Sequence, residues 1–175
     1  MGTKILITGG SGMIGQALSA ALSENGHQVS HLSRNPSKKV NYPSYKWDIA
    51  NQYIDPRALN VDLIIHLSGE GIANKRWTEK QKQKLIMSRI DAAKLLYDQI
   101  IKLKKRPVRI ISASAIGYYG SDTQEEECFE DTPAGDDFIG QFVFNWEQQV
   151  NQFEALGMQV SMLRIGIVLS KAGGA

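Results

Sequence analysis

The sequence is poor in cysteine: Cys128 stands alone among 175 residues. That excludes an internal disulfide and any metal cluster built on several cysteines, and it fits a reducing compartment. Neither charge is in excess. Twenty Lys and Arg face eighteen Asp and Glu, a formal charge of +2, so no global field marks nucleic acid or an anionic membrane as the partner. No apolar run approaches the roughly 18 residues of a spanning helix, and the N-terminus passes into an apolar strand without a basic-then-apolar leader. Met1-Gly2 opens no myristoylation signal, because Leu6 stands where Ser or Thr is required. Internal repeats, low-complexity stretches and linkers are missing as well. What is present is 42% hydrophobic residues, enough for the core of one domain. The expectation is a cytoplasmic protein.

Lys4 to Thr8 is a short apolar run ending in a glycine cluster. Met13 to Asn25 carries Ile14, Leu18, Ala21 and Leu22 at helical spacing, and Gly26 stops it. Gln28 to Ser33, Tyr45 to Trp47 and Asp62 to Leu67 read as strands two, three and four, the last fully buried. Thr78 with Gln81 forms a capping box and opens a helix predicted to run to about Lys105, before Pro107. Val108 to Ala113 is the fifth strand, Phe138 to Leu156 a helix closed by Gly157, and Gln159 to Leu169 holds the sixth strand. Apolar strands alternating with helices predict an α/β fold with a doubly wound parallel sheet, strand order 3-2-1-4-5-6, as one domain over residues 1–175.

Thr8-Gly9-Gly10-Ser11-Gly12-Met13-Ile14-Gly15 sets glycines at G-x-x-G-x-x-G spacing between the first strand and the first helix. One glycine permits the tight turn, one lets backbone N–H groups approach a pyrophosphate, one lets the helix pack on the strand, and the helix dipole favours the anion. Its flanking strand and helix make this a Rossmann-type dinucleotide site, with Thr8, Gly9, Gly12, Met13, Ile14 and Gly15 expected at the cofactor. After strand two, an NAD-binding chain usually places an acid on the ribose 2′-hydroxyl; here stand Ser33, Arg34 and Asn35. Arg34 suits the 2′-phosphate, so NADP is the expected cofactor and NAD the less favoured one; the alternative is a solvated loop arginine. Asp48, just past strand three, either accepts from the adenine amino group or caps the next turn.

These residues resemble the short-chain dehydrogenase/reductase superfamily, in its extended NAD(P)-dependent epimerase/dehydratase-like branch. Leu67-Ser68-Gly69-Glu70-Gly71-Ile72, Arg76-Trp77-Thr78, Ser88-Arg89, the run from Ser112 to Gly120, Asp137-Phe138, Trp146-Glu147 and the run from Leu163 to Leu169 are together similar to an atypical subgroup. Its members, the YfcH-like proteins, are commonly labelled sugar-nucleotide epimerases. The resemblance spans essentially the whole chain. It implies that Leu67, Ser68 and Gly69 line the cofactor at the end of strand four and that Arg89 faces cofactor or substrate; the alternative for Arg89 is a helix-surface residue paired with an acid. It also implies a C-terminal substrate-binding part after Gly173-Gly174, which makes these residues the N-terminal cofactor-binding part of a longer protein.

Better-known members of the superfamily carry Tyr-x-x-x-Lys on the helix before the sixth strand, where Lys lowers the Tyr pKa for proton exchange during hydride transfer. From Thr132 to Gly157 this chain has no Tyr, Lys, Arg or His, and the equivalent positions fall among Phe138 to Val143. Tyr42-Pro43-Ser44-Tyr45-Lys46 imitates the spacing, but at a strand entrance, where positions four apart are separated by about 13 Å. Ser114, Tyr118 and Tyr119 remain for acid–base work. Ser114 sits one position away from the family's Ser-x-x-x-Tyr-Gly pattern, Ser112 is its alternative, and the tyrosines read equally as a half-buried aromatic plug. The expected function is an NADP-binding oxidoreductase or epimerase-like protein acting on a nucleotide sugar or another small carbonyl or hydroxyl compound. Its rival is a catalytically silent NADP-binding sensor or partner-docking module.

Residues 75–106 hold eleven Lys or Arg against three acids, and residues 122–137 hold eight acids and no base. Neither carries a docking motif or the Asp spacing of a calcium loop, so both read as solvated faces without nucleic acid, membrane or metal. Cys128 among carboxylates reads as an inert thiol. Phe138, Phe142, Trp146, Val150 and Phe153 form an apolar helix stripe widened by Ile139 and Val143; its default is the core, and its surplus would suit a homodimer through the long helices. A sheet ending on strand six should expose an edge, with Ile165 and Val168 uncovered.

Overall fold

The computed structural model describes residues 2–36, 41–71, 76–170 and 173–174; Ile72, named above, lies outside them. The strands are β1 (Lys4–Thr8), β2 (Gln28–Ser33), β3 (Ser44–Asp48), β4 (Tyr53–Ile54), β5 (Leu63–His66), β6 (Arg109–Ala115) and β7 (Gln159–Ile165). They form one sheet in the order β4-β3-β2-β1-β5-β6-β7, parallel throughout except for the β3–β4 pair. The six strands read from the sequence therefore stand in the order 3-2-1-4-5-6. The short antiparallel β4 is an addition. Asp48 caps the turn after β3, its carboxylate accepting from the backbone and side-chain nitrogens of Asn51, and the reversed chain pairs Ile54 with Trp47. Leu169–Ser170 (β8) and Gly173–Gly174 (β9) form a separate antiparallel pair.

Helix α1 spans Met13–Glu24, α2 Glu79–Ile86, α3 Ala92–Ile100 and α4 Phe138–Asn151. Thr78 caps α2 through a bond from the Gln81 N–H, so the N-cap half of the box forms, while the Thr78 N–H bonds to the Arg76 carbonyl instead of the Gln81 side chain; the single helix expected to reach Lys105 does not form. Met87–Asp91 winds as a π-turn and α3 ends at Ile100. A π-turn inserts one residue into the helical repeat and rotates the following face, which a periodicity count averages away. Asp137 caps α4, its Oδ1 accepting from the Gly140 N–H at 2.8 Å, and the helix tightens into a 3₁₀ turn over Gln152–Leu156 before Gly157.

Two layers of apolar residues sandwich the sheet. Leu6, Leu32, Ile64 and Ile110 pack on one face against Leu95, Leu96, Ile100 and Phe153. Ile5, Ile7, Val29 and Ile65 pack on the other against Leu18 and Leu22 of α1. Ile139, Phe142, Val143, Trp146 and Val150 of α4 are buried with Leu85 and Ala93, so the α4 stripe lies within the core of the chain itself. Along the edge strand β7 the side chains alternate, with Met162 and Arg164 turned toward α4 and Leu163 away from it, 53% exposed. The uncovered apolar residues at this edge are Leu163, Ile167 and Leu169; Ile165 and Val168, expected there, are half-buried.

Candidate functional site

The glycine turn joins β1 to α1 over the end of β5. Gly9 adopts φ +72°, and a Cβ there would come within 2.9 Å of the Leu67 carbonyl and the Ser68 nitrogen. A Cβ on Gly15 would meet the Gly9 oxygen at 2.4 Å. Both glycines are thus required by close backbone packing. Gly12 is different: it caps α1, with no side-chain cap and no acid in the first turn, and a Cβ would meet only the Gly9 oxygen, at 3.3 Å. The first-turn N–H groups around Met13 and Ile14 therefore have no side-chain partner, the arrangement that receives an anion.

Beside this helix end lies a cleft of about 510 Å³, lined among others by Gly9, Gly12, Ser33, Arg34, Trp47, Leu67, Ser68 and Gly69. Arg34 is exposed at its rim and is shared with a neighbouring cleft of about 480 Å³ that includes Asp48. The Asp48 carboxylate is committed to Asn51, whose side-chain hydrogen bond holds it below the usual carboxylate range; of its two readings, the structure shows the turn cap. His31, which the sequence reading passed over, also lines the cleft. A Cβ on Gly10 would strike its ring at 2.5 Å, and its Nε2 meets Ser19 Oγ at 2.8 Å. Since Ser19 gives its proton to the Gly15 carbonyl, His31 Nε2 carries the hydrogen of that bond, and burial lowers the pKa of the ring.

Thr8 is fully buried. Its Oγ1 accepts from the Leu67 and Ser68 N–H groups, both at 3.2 Å, and sits 2.8 Å from His66 Nδ1. With both lone pairs used, the hydroxyl gives its proton to Nδ1, so the Thr8 side chain shapes the rim from below and does not face the cleft. His66 is fully buried, and burial pushes it down from 6.5 to about 4, outweighing the opposing hydrogen bond to the Arg89 backbone. The unfolded chain takes up this proton near pH 6.5 and the folded chain only near 4, so stability is full above that window and falls as pH drops through it, by up to roughly 3 kcal/mol. Denaturant midpoints followed from neutral to acid pH should show this slope, and His66→Gln should flatten it.

Arg89 corrects a second placement. The π-turn carries it inward to 8% exposure, over the rings of Trp146 and Phe142. Its Nη2 donates to the Glu70 carbonyl at 3.0 Å, and its Nη1 to Ser88 Oγ, which accepts the Glu70 N–H. A Cβ on Gly69 would collide with its guanidinium, and burial lowers its pKa to about 10. It braces the Leu67–Glu70 loop from beneath and does not line the cleft, nor is it a surface residue.

At the end of β6 a second set of groups converges. Ser114 Oγ donates to Glu147 Oε1 on α4, and Glu147 is paired with Arg164 of β7 at 2.9 Å, a contact that raises the Arg164 pKa further above its ordinary value. Arg164 also reaches the Tyr119 hydroxyl and lies over the Tyr118 ring. Both tyrosines are half-buried. Ser112 is fully buried and donates to the Ala113 carbonyl. At the start of α4, Ile139 and Val143 are buried and apolar. None of Ser114, Tyr118 and Tyr119 lines the cleft beside α1. Among the described residues no group of three or more His, Cys, Asp or Glu is placed to hold a metal, and no helix is long and apolar enough to cross a membrane.

The fold and the α1 turn define a nucleotide-binding protein of the short-chain dehydrogenase/reductase type. Residues 5–137 match the family described as NAD dependent epimerase/dehydratase. An epimerase family protein of Staphylococcus saprophyticus is 36% identical over 179 residues, covering 97% of this chain and 57% of that protein. The nucleoside-diphosphate sugar epimerase from Corynebacterium glutamicum superposes with a TM-score of 0.84 at 30% identity, over 99% of this chain and 36% of that one. Human epimerase family protein SDR39U1 (isoform 2), solved with NADPH, does so with a TM-score of 0.79 at 28% identity, over 98% and 56%. The chain belongs to the NAD-dependent epimerase/dehydratase family, whose members bind pyridine nucleotides, and it spans about 57% of the length of the curated relatives it matches. The residues present fit such a cofactor: an uncapped helix start at Gly12, open to the cleft, with a cation at the rim.

Proposed function

We propose that this chain holds the cofactor of an NADP(H)-dependent oxidoreductase or epimerase that acts on a small hydroxyl or carbonyl compound, a nucleoside-diphosphate sugar being the favoured class. The observation that carries the cofactor choice is Arg34, exposed at the cleft rim where an NAD-binding chain would present an acid. NADPH in the human relative and the sugar-nucleotide activity named for the Corynebacterium protein support the same reading. The bound nicotinamide would supply or accept hydride. The chain's own part is to seat the pyrophosphate on the first-turn N–H groups of α1, to meet the 2′-phosphate with Arg34, and to hold the ring side with Leu67, Ser68 and Gly69, braced by Arg89.

Trp47 lines the cleft, so its fluorescence should report binding. Titration is expected to show NADPH bound roughly tenfold to a hundredfold more tightly than NADH, the range of one charge-assisted contact, and Arg34→Asp to erase or reverse the preference. Equal affinities in the unaltered chain would exclude the Arg34 role. The second reading, a silent NADP-binding sensor, draws on the run from Phe138 to Val143, which holds neither member of a Tyr and Lys pair. Because acid–base assistance is worth about 10²–10⁴-fold, hydride exchange with a sugar-nucleotide panel in the presence of bound NADP separates the two.

A further inference from the structure

The ion pair between α4 and β7 does more than join them. Arg164 Nε donates to Glu147 Oε1 at 3.0 Å and Nη2 to Oε2 at 2.9 Å, the two-pronged form that fixes both groups in one plane. A pair this buried costs desolvation that its attraction barely offsets, so stability alone is a weak reason for it. What it does settle is three hydroxyl groups. Ser114 commits its one proton to Glu147. Tyr119 donates to the Phe129 carbonyl at 2.8 Å and accepts from Arg164 Nη1 at 2.9 Å, while the same Nη1 reaches the Glu130 carbonyl at 3.0 Å. Tyr118 differs. The guanidinium carbon lies 3.5 Å from its ring centroid, and its hydroxyl makes no hydrogen bond among the described residues.

We propose that Glu147 and Arg164 are a positioning pair that commits the protons of the Ser114 and Tyr119 hydroxyls and presents Tyr118 as the one of the three whose proton is free for substrate. This rests on the oxidoreductase or epimerase reading above. It answers the loss of Tyr-x-x-x-Lys: the run from Phe138 to Val143 at the start of α4 holds neither Tyr nor Lys, and the phenol and the cation come instead from the turn after β6 and from β7. A consequence follows for Ser114. With its proton given to Glu147, its oxygen offers only lone pairs to a second partner, so it suits a substrate hydroxyl and not a carbonyl.

Acetylation of the protein with N-acetylimidazole, mapped by mass spectrometry, reads the arrangement without needing the substrate. Tyr53, 46% exposed, serves as internal reference. In the wild type, Tyr118 is expected to react about tenfold faster than Tyr119, the protection that one charge-assisted hydrogen bond provides. Arg164→Lys keeps a cation opposite Glu147, so the fold is retained, but one ammonium cannot reach Glu147, Tyr119 and the Glu130 carbonyl together, and Tyr119 labelling should rise about tenfold. A merely structural pair would leave the pattern unchanged. Equal labelling of the two tyrosines in the wild type, or an unaltered ratio in a folded Arg164→Lys protein, overturns the proposal; should that variant not fold, the wild-type ratio decides. An NADPH titration on the same wild-type sample tests the cofactor reading separately, since its failure would show as lost binding whatever the labelling.

Discussion

A carboxylate placed at the head of α1 by Gly12→Asp is expected to lower NADPH affinity by on the order of a hundredfold while leaving the folded protein as stable as before, or slightly more so. The backbone at Gly12 is extended, with φ −75° and ψ 168°, so a side chain meets no conformational barrier, and the Gly9 oxygen at 3.3 Å has only to give a few tenths of an ångström. Aspartate is a favoured N-cap: its oxygen accepts the same N–H groups that a pyrophosphate would use, and its charge repels the incoming phosphates. Stability and binding should therefore move in opposite directions. Denaturant unfolding and NADPH titration on one preparation check both. Unchanged binding in a folded Gly12→Asp protein would place the pyrophosphate elsewhere. Gly15→Ala makes the contrast, because its Cβ meets backbone at 2.4 Å and should cost about 1–3 kcal/mol through overpacking.

The parts of this fold legible in the sequence are those governed by short-range rules. Glycine spacing after an apolar strand located the turn at Gly9 to Gly15, buried apolar runs located six strands, and Thr78 capped the helix it precedes. The unread parts depend on contacts far apart in the chain. Thr8 and His66 are 58 positions apart and Ser114 and Glu147 are 33 apart, so no window of spacing reveals that these polar groups satisfy one another. Arg89 was visible as a motif residue, but its direction was set by the π-turn at Met87–Asp91. A single inserted residue there turns a surface position into a buried brace. Trp146-Glu147 and Leu163-Arg164 likewise stood out as subgroup motifs, although only the register of β6 with β7, Ser114 opposite Arg164, brings Ser114, Glu147 and Arg164 together.

Removing one member of that pair should have the largest effect on stability of any single change outside the apolar core. Glu147→Leu leaves Arg164 facing an apolar helix with its Nε and Nη2 hydrogens unmet, at 18% side-chain exposure. Breaking a fully buried pair costs about 3–5 kcal/mol, and the remaining access of Arg164 to solvent brings the expected loss to roughly 2–4 kcal/mol. Glu147→Leu combined with Arg164→Met should recover most of this loss, because a well-packed apolar pair of similar volume avoids the desolvation cost of both charges. The recovered protein is then the informative one. It should unfold near the wild-type midpoint in urea and yet leave the Tyr119 hydroxyl without its Arg164 donor and Ser114 without its acceptor. A double variant as unstable as Glu147→Leu alone would mean that the pair's hydrogen bonds to Ser114, Tyr119 and the Glu130 carbonyl are themselves holding β6, β7 and the acidic segment in place.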